Sequence, residues 1–400
     1  TTLATAKCGI TGTVTIEPEA WLSSPTWDAL DYNGTTTLNV YGTINLQDVW
    51  SFASGNTLNF YNGCTITDAG NSHIASYDLV GGPIYVKPGK DGAKGTVDLS
   101  AVSRLRANTV VNVAEGMTFT VSGQLNSAND GTGFGFTKQG SGIFNLTPSS
   151  MSAFTGTTTV SAGQMVMTSF PNFTTVSIAD GATFTLKNAN WTGTADIFSG
   201  NGTLELYANT SGFSQYASTS SFAGKLKVIG NNSKVPYFNG TAPQFTAKPD
   251  FELDGNMTLT DHFCGSDKKF TVKNLTCTTS GRIDPYYADT AAARYVSTLQ
   301  TRDTVCAAVF VSNNEATQRK TGLYVYGQDA TVHSLTLTGA NTTRGPLEVD
   351  TYGKVVFSST GYWYGPVTIG ENGYLQSDST AATVAGTLTL QDGATVVRSS

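Results

Sequence analysis

A short, glycine-led strand pattern that returns at a fixed interval restricts this chain more than any other feature. Gly34-Thr-Thr-Thr-Leu-Asn-Val and Gly42-Thr-Ile-Asn-Leu recur 21 residues later as Gly55-Asn-Thr-Leu-Asn-Phe and Gly63-Cys-Thr-Ile. Gly95-Thr-Val-Asp-Leu and Gly116-Met-Thr-Phe-Thr-Val stand the same 21 residues apart. Similar runs follow Gly181, Gly202, Gly224, Gly353, Gly373, Gly386 and Gly393. Runs this short, alternating with period two, are strands. One alone cannot offset a backbone entropy cost of about 1–2 kcal/mol per residue. Coils of fixed length solve the problem, because each buries its inward side chains on the equivalent ones of the next coil, about 4.8 Å away. Each side chain buried in this way contributes roughly 1.5–3 kcal/mol. The expected fold is therefore all-β, a parallel β-helix (β-solenoid).

Composition removes several function classes. The net charge is −6, the 13% charged residues form no basic run, and nucleic acid is not an expected partner. A hydrophobic fraction of 39% is too high for a disordered chain, yet no apolar run is long enough to span a membrane. The three histidines, His73, His262 and His333, are scattered, and the five cysteines form no CxxC pair. No metal site and no cofactor is expected. The first residue is Thr1 rather than Met, which reads as a processed or truncated export product.

The stretch from Phe136 to Met167 holds three alternating runs in close succession. Alternation places Phe144 with Leu146, Thr158 with Val160, and Met165 with Met167 on one face. Here Lys138, Gly140, Gly142, Leu146, Phe154, Gly156, Thr158, Val160 and Gly163 resemble the autotransporter-associated β-strand repeat. That pattern looks like K-x-G-x-G-x-L-x-L followed by an aromatic and G-x-T-x-V-x-x-G-x-L. The chain departs from it at Phe144, Thr157 and Met165, by small or apolar exchanges. The resemblance implies a right-handed parallel β-helix and a secreted or surface-displayed protein.

Three sections are expected. Residues 1–259 form a solenoid with loops near 81–95 and 231–250, and residues 323–400 continue it. Between them, residues 260–322 read as an irregular insertion. Within it Asp289 to Gln300 combines a cap residue, an alanine run and helical spacing of Ala293, Val296 and Leu299, which predicts a short helix. Cys264, Cys277 and Cys306 flank or lie in this section, and a Cys264–Cys277 bridge closes the shortest loop. Cys8 and Cys64 are expected to remain free, buried thiols.

The expected function is structural or adhesive, at the bacterial cell surface or outside the cell, with assembly into fibres or a surface layer. Enzyme activity is not expected. The main enzymatic rival is a polysaccharide-degrading β-helix, built on Asp28, Asp48 and Asp68 at about one-coil spacing. Turn residues in a regular coil fall into such a ladder by default, and no Arg, Lys or His recurs beside them. The other rival is a carbohydrate-binding module without catalysis. Its candidate contacts are Tyr362, Trp363 and Tyr364, where alternation sends the tyrosines one way and the tryptophan the other. Asn-x-Ser/Thr sequons at Asn33, Asn190 and Asn274 are attributed to chance in a Thr-rich chain. The strand-like segments near both ends predict self-association or further solenoid there, and surface glycans are the other expected partner.

Overall fold

A computed structural model describes residues 11–23, 31–32, 36–46, 50–53, 55–68, 77–101, 103–127, 133–149, 156–168, 175–187, 197–207, 214–216, 221–230, 236–238, 247–259, 269–285, 293–312, 320–380 and 382–399. The chain divides into two compact units, one of residues 1–187 and 200–203, the other of 188–199 and 204–400. Each is a parallel β-solenoid.

In the first unit, the strands Gly12–Ile16, Thr36–Val40, Thr57–Tyr61, Ile84–Lys87, Thr109–Val113, Phe136–Gln139, Thr157–Val160 and Thr175–Ile178 pair in sequence along one side, every pair parallel. The strands Trp21–Ser23, Thr43–Leu46, Thr65–Asp68, Thr96–Leu99, Thr118–Val121, Ile143–Leu146, Gln164–Met167 and Thr183–Leu186 build a second side. Asp31–Tyr32, Trp50–Ala53, Tyr77–Val80, Ser103–Leu105 and Leu125–Ser127 build a third.

Register turns the alternation into columns. Val97, Phe119, Phe144, Met165 and Phe184 succeed one another turn by turn, all buried. The Phe119 and Phe144 rings stack with centroids 5.6 Å apart. Phe144, Leu146, Thr158, Val160, Met165 and Met167 all point into the core, as their spacing predicts.

The recurrent glycines serve two different ends. Gly140 has φ 72°, and a Cβ there would lie 2.2 Å from the Val113 carbonyl oxygen. Gly142 needs no unusual φ; its Cβ would strike the carbonyl oxygen of Ala114 at 2.3 Å, so it is fixed by the close approach of the turn below.

In the second unit, parallel pairing runs from Lys225–Ile229 through Asp250–Asp254, Lys269–Cys277, Arg294–Gln300, Thr321–Gly327, Leu347–Asp350 and Val367–Ile369 to Leu388–Leu390. An adjoining side runs from Thr304–Cys306 through His333–Leu337, Gly353–Phe357 and Tyr374–Ser377 to Thr395–Arg398.

Several expectations are corrected here. The section 260–322 contains ordinary ladder strands, and Arg294–Gln300 is one of them rather than a helix. Each of its residues has a partner in Thr321–Gly327, and most also have one in Lys269–Cys277. Val296, Thr298 and Gln300 are buried while Tyr295 and Leu299 are half-buried, a period of two in place of the helical spacing. Two flanking strands override a local preference that is worth only tenths of a kcal/mol per residue. Asp289 and its neighbours lie outside the described residues, and among the described residues there is no helix. Likewise, Ile84–Lys87 in the expected 81–95 loop is a core strand between Thr57–Tyr61 and Thr109–Val113. In the expected 231–250 loop, Pro236–Phe238 pairs with Ser214–Tyr216.

Lys269–Cys277 spans two sides in one strand, bent at Asn274. There the pairing with Asp250–Asp254 slips by one residue, and Asn274 takes φ 51° while buried. Its Nδ2 donates to Asp250 Oδ1 and Thr301 Oγ1, both at 3.0 Å, and its Oδ1 accepts from the Thr301 amide at 2.8 Å. The expected bridge between Cys264 and Cys277 falls outside the described residues, because Cys264 does, and Cys277 itself stands unbridged. The strand holds its side chain in the core, opposite Cys306 of the next turn. Cys306 is also free, as is Cys64, whose thiol burial pushes up to about 12; Cys8 lies outside the described residues.

Candidate functional site

The aromatic triplet at residues 362–364 sits on a short side strand of the second unit. Tyr362–Trp363 pairs with Thr383–Val384 one turn on, and the amides of Tyr362 and Tyr364 donate to Asn341 O and Thr343 O one turn back. Extended backbone then sorts the three side chains by parity. Trp363 turns inward and is buried; its Nε1 donates to Gly345 O at 2.8 Å, and its ring lies 6.0 Å from Phe310 and 6.2 Å from Phe357. Tyr362 and Tyr364 face solvent, 49% and 45% exposed, with ring centroids 5.7 Å apart and planes 21° apart. The Arg344 guanidinium carbon stands 5.7 Å from the Tyr364 ring centroid. Beside Trp363, a shallow recess lined by Asn341, Phe357, Ser359, Gly361, Ala382 and Thr383 has room for little more than one water. Ligand pockets measure about 300–1,000 Å³. On this side of the unit the flat tyrosine pair faces solvent.

Sequence reasoning missed a second aromatic face in the same unit. Tyr295, Tyr324 and Tyr326 point outward from consecutive turns. Tyr295 OH donates to Glu348 Oε1 at 3.3 Å, and Tyr324 OH donates to Asp350 Oδ2 at 3.0 Å. Lys269 Nζ lies 4.1 Å from the Tyr324 ring centroid. Burial, then the Glu348 carboxylate, pushes Tyr295 up to about 12; burial and Asp350 push Tyr324 up as well. The outward parity of these tyrosines was readable, but the turn lengths that bring them together were not.

The first unit has a similar stack. Tyr41 and Tyr61 lie 3.9 Å apart, with Lys90 Nζ 4.7 Å from the Tyr41 ring centroid and Lys87 Nζ 5.8 Å from that of Tyr61.

Lys138, the charged residue of the repeat-like motif, stands in an apolar column between Val111 and Val160. Its stem fills the core as an aliphatic residue would, and no part of the residue is exposed. Its Nζ donates to the carbonyls of Gly140, Gln139 and Ala162 at 2.7, 2.9 and 3.0 Å. The ammonium therefore closes the corner that Gly140 turns, and burial lowers its pKa to about 8. The motif position is structural.

The last described turn differs from those beneath it. One core column runs Phe270, Val296, Leu323, Leu347, Val367 and Leu388; another runs Val325, Val349, Ile369 and Leu390. All are buried up to Val367 and Ile369, whereas Leu388 and Leu390 are 44% and 54% exposed. In the adjoining column of Leu335, Val355 and Leu375, the next member, Val396, is 46% exposed.

Of the carboxylates considered for catalysis, Asp28 and Asp48 lie outside the described residues, and Asp68 ends the strand Thr65–Asp68. Among the described residues, no three of His, Cys, Asp and Glu stand close enough to hold a metal ion. No helix among them is long and apolar enough to cross a membrane. No protein-family model matches the chain, and no curated protein or solved structure matches it.

Proposed function

We propose that this chain is a secreted or surface-displayed bacterial β-solenoid with a structural and adhesive role, whose exposed apolar strands self-associate or continue into further solenoid. The observation that carries the proposal is the open end of the core columns at Leu388, Leu390 and Val396. Another parallel turn laid on this face would bury those side chains and continue each column. Backbone geometry favours the same addition. The Gln391 amide donates to Ile369 O, so the amides of Leu388 and Leu390, at the opposite parity, point to the open edge.

The test is light scattering against concentration, with negative-stain imaging. Mass should grow with concentration in the parent protein. Leu390→Pro removes a donor from the open edge while leaving the bonds to the turn beneath, and should hold the protein as a monomer. A parent chain that stays monomeric at high concentration, with exchange-protected amides at Leu388 and Leu390, would sink self-association. It would favour coverage by further solenoid of the same polypeptide.

The Tyr362–Tyr364 pair favours a second reading, in which the lateral face binds surface glycans, since flat exposed aromatics stack on sugar rings. A glycan array probed with the parent and with Tyr362→Ala/Tyr364→Ala tests this; binding that is absent, or equal in both, excludes that face.

A further inference from the structure

We infer that Cys277 and Cys306 form a disulfide that staples two successive turns of the second unit, made by exchange with a small-molecule disulfide while those turns close. Cys277 ends the strand Lys269–Cys277 and Cys306 ends Thr304–Cys306. The two are direct partners in the parallel ladder, so their side chains leave the backbone in the same direction. Both thiols are buried, and the two residues stand side by side in the ladder. Ladder partners stand about 4.7–4.9 Å apart, inside the window of about 4.4–6.8 Å between Cα atoms that a disulfide spans. The column continues with Leu337 and Phe357, so an apolar disulfide suits the space. No other pair of cysteines among the described residues is placed in register.

The chemistry balances in two exchanges. One cysteine thiolate attacks the external disulfide and expels one small thiolate, leaving a mixed disulfide on the protein. The second cysteine thiolate then attacks the protein sulfur of that mixed disulfide and expels the other. Two protein thiols are oxidised, one external disulfide is reduced, and the two protons end on the two released thiols. Burial pushes the Cys277 thiol well above its ordinary value, and both cysteines are out of reach of solvent. The exchange therefore belongs to folding, and the finished bridge is sealed from solvent.

The parent chain is refolded from reduced, unfolded protein in mixed oxidised and reduced glutathione, alkylated under denaturing conditions, and digested with trypsin. Cleavage after Lys273, Arg282, Arg302 and Arg319 leaves Cys277 and Cys306 as the sole cysteines of their two peptides. The expected product is these peptides linked, two hydrogens lighter than their sum. Both peptides recovered alkylated, or either one joined to Cys8, Cys64 or Cys264, would overturn the assignment. The linked product should persist in Cys264→Ser. It should also resist reductant in native buffer and yield to it rapidly in urea; equal reduction in both would overturn the claim that it is sealed.

Discussion

Replacing Lys138 by Met separates the two parts the lysine plays in the first unit. Methionine keeps an unbranched stem between Val111 and Val160 and so opens little cavity. It removes three hydrogen bonds of 2.7–3.0 Å to the carbonyls of Gly140, Gln139 and Ala162. Bonds from a charged donor contribute about 1.5–3 kcal/mol each. Their sum is offset in part by the cost of burying an ammonium. A net loss of about 2–4 kcal/mol is expected, because three carbonyl acceptors lose their donor. Lys138→Ala also deletes the stem, at about 0.8 kcal/mol per methylene, and should lose about 2 kcal/mol more.

Because turns of a solenoid open locally, the assay is urea unfolding combined with hydrogen exchange of peptides from residues 136–167. A pH arm adds an independent sign. Burial holds Lys138 at about 8, below the ordinary lysine value of about 10.4. Between these values the unfolded chain holds more protons than the folded one, so this residue's contribution to stability rises with pH from about 8 to 10. The difference between the parent and Lys138→Met should widen across that window. A Met variant as stable as the parent at pH 7, or a difference that does not change with pH, would refute the reasoning.

Trp363→Ala should cost about 3–5 kcal/mol by thermal or urea unfolding, whereas Tyr362→Ala should cost under about 1 kcal/mol, because only the tryptophan is packed in the core. Asn274→Ala should destabilise by about 2–4 kcal/mol, since it leaves the Thr301 amide without its partner, removes one of the bonds to Asp250, and places a Cβ-bearing residue lacking a polar side chain at φ 51°. In Asn274→Gly the backbone part of that cost should be relieved, which the same melts would read. Alkali should unfold the protein over a defined range. Burial pushes Tyr61 and Tyr295 up to about 12, so unfolded phenols ionise first from about pH 10 and stability falls from there towards 12. In Tyr61→Phe/Tyr295→Phe the fall in stability between pH 10 and 12 should be smaller, and a fall equal to the parent's would contradict this.

The stacked architecture was legible because glycine-led strands and period-two alternation both survive in short windows. Phe144, Leu146, Val160 and Met165 could be placed inward from parity alone. Lys138 could also have been placed inward by counting two residues from buried Phe136, but its charge argues for the surface until three carbonyls are seen to meet it. Residues 294–300 were misread because a helix is judged on local preference, whereas this strand is held by partners 26 and 27 residues away, at Lys269 and Gly322 of the neighbouring turns. The same irregular turn lengths hid the Tyr295–Tyr324–Tyr326 face and the Cys277–Cys306 register. The opposite directions of Tyr362 and Tyr364 on one hand and Trp363 on the other followed from strand pattern alone, since they depend on parity within one segment.

The bend at Asn274 has a consequence for expression in a host that attaches N-linked sugars. Asn274-Leu-Thr is an acceptor sequence, and the side-chain amide that would carry the glycan is enclosed and committed to Asp250 and Thr301. A transferase can reach that nitrogen only before the turn closes, and a sugar once attached could not be accommodated at the bend. The fraction of chains glycosylated at Asn274 would therefore measure how long this turn stays open during synthesis, and the modified chains would be those that failed to complete it.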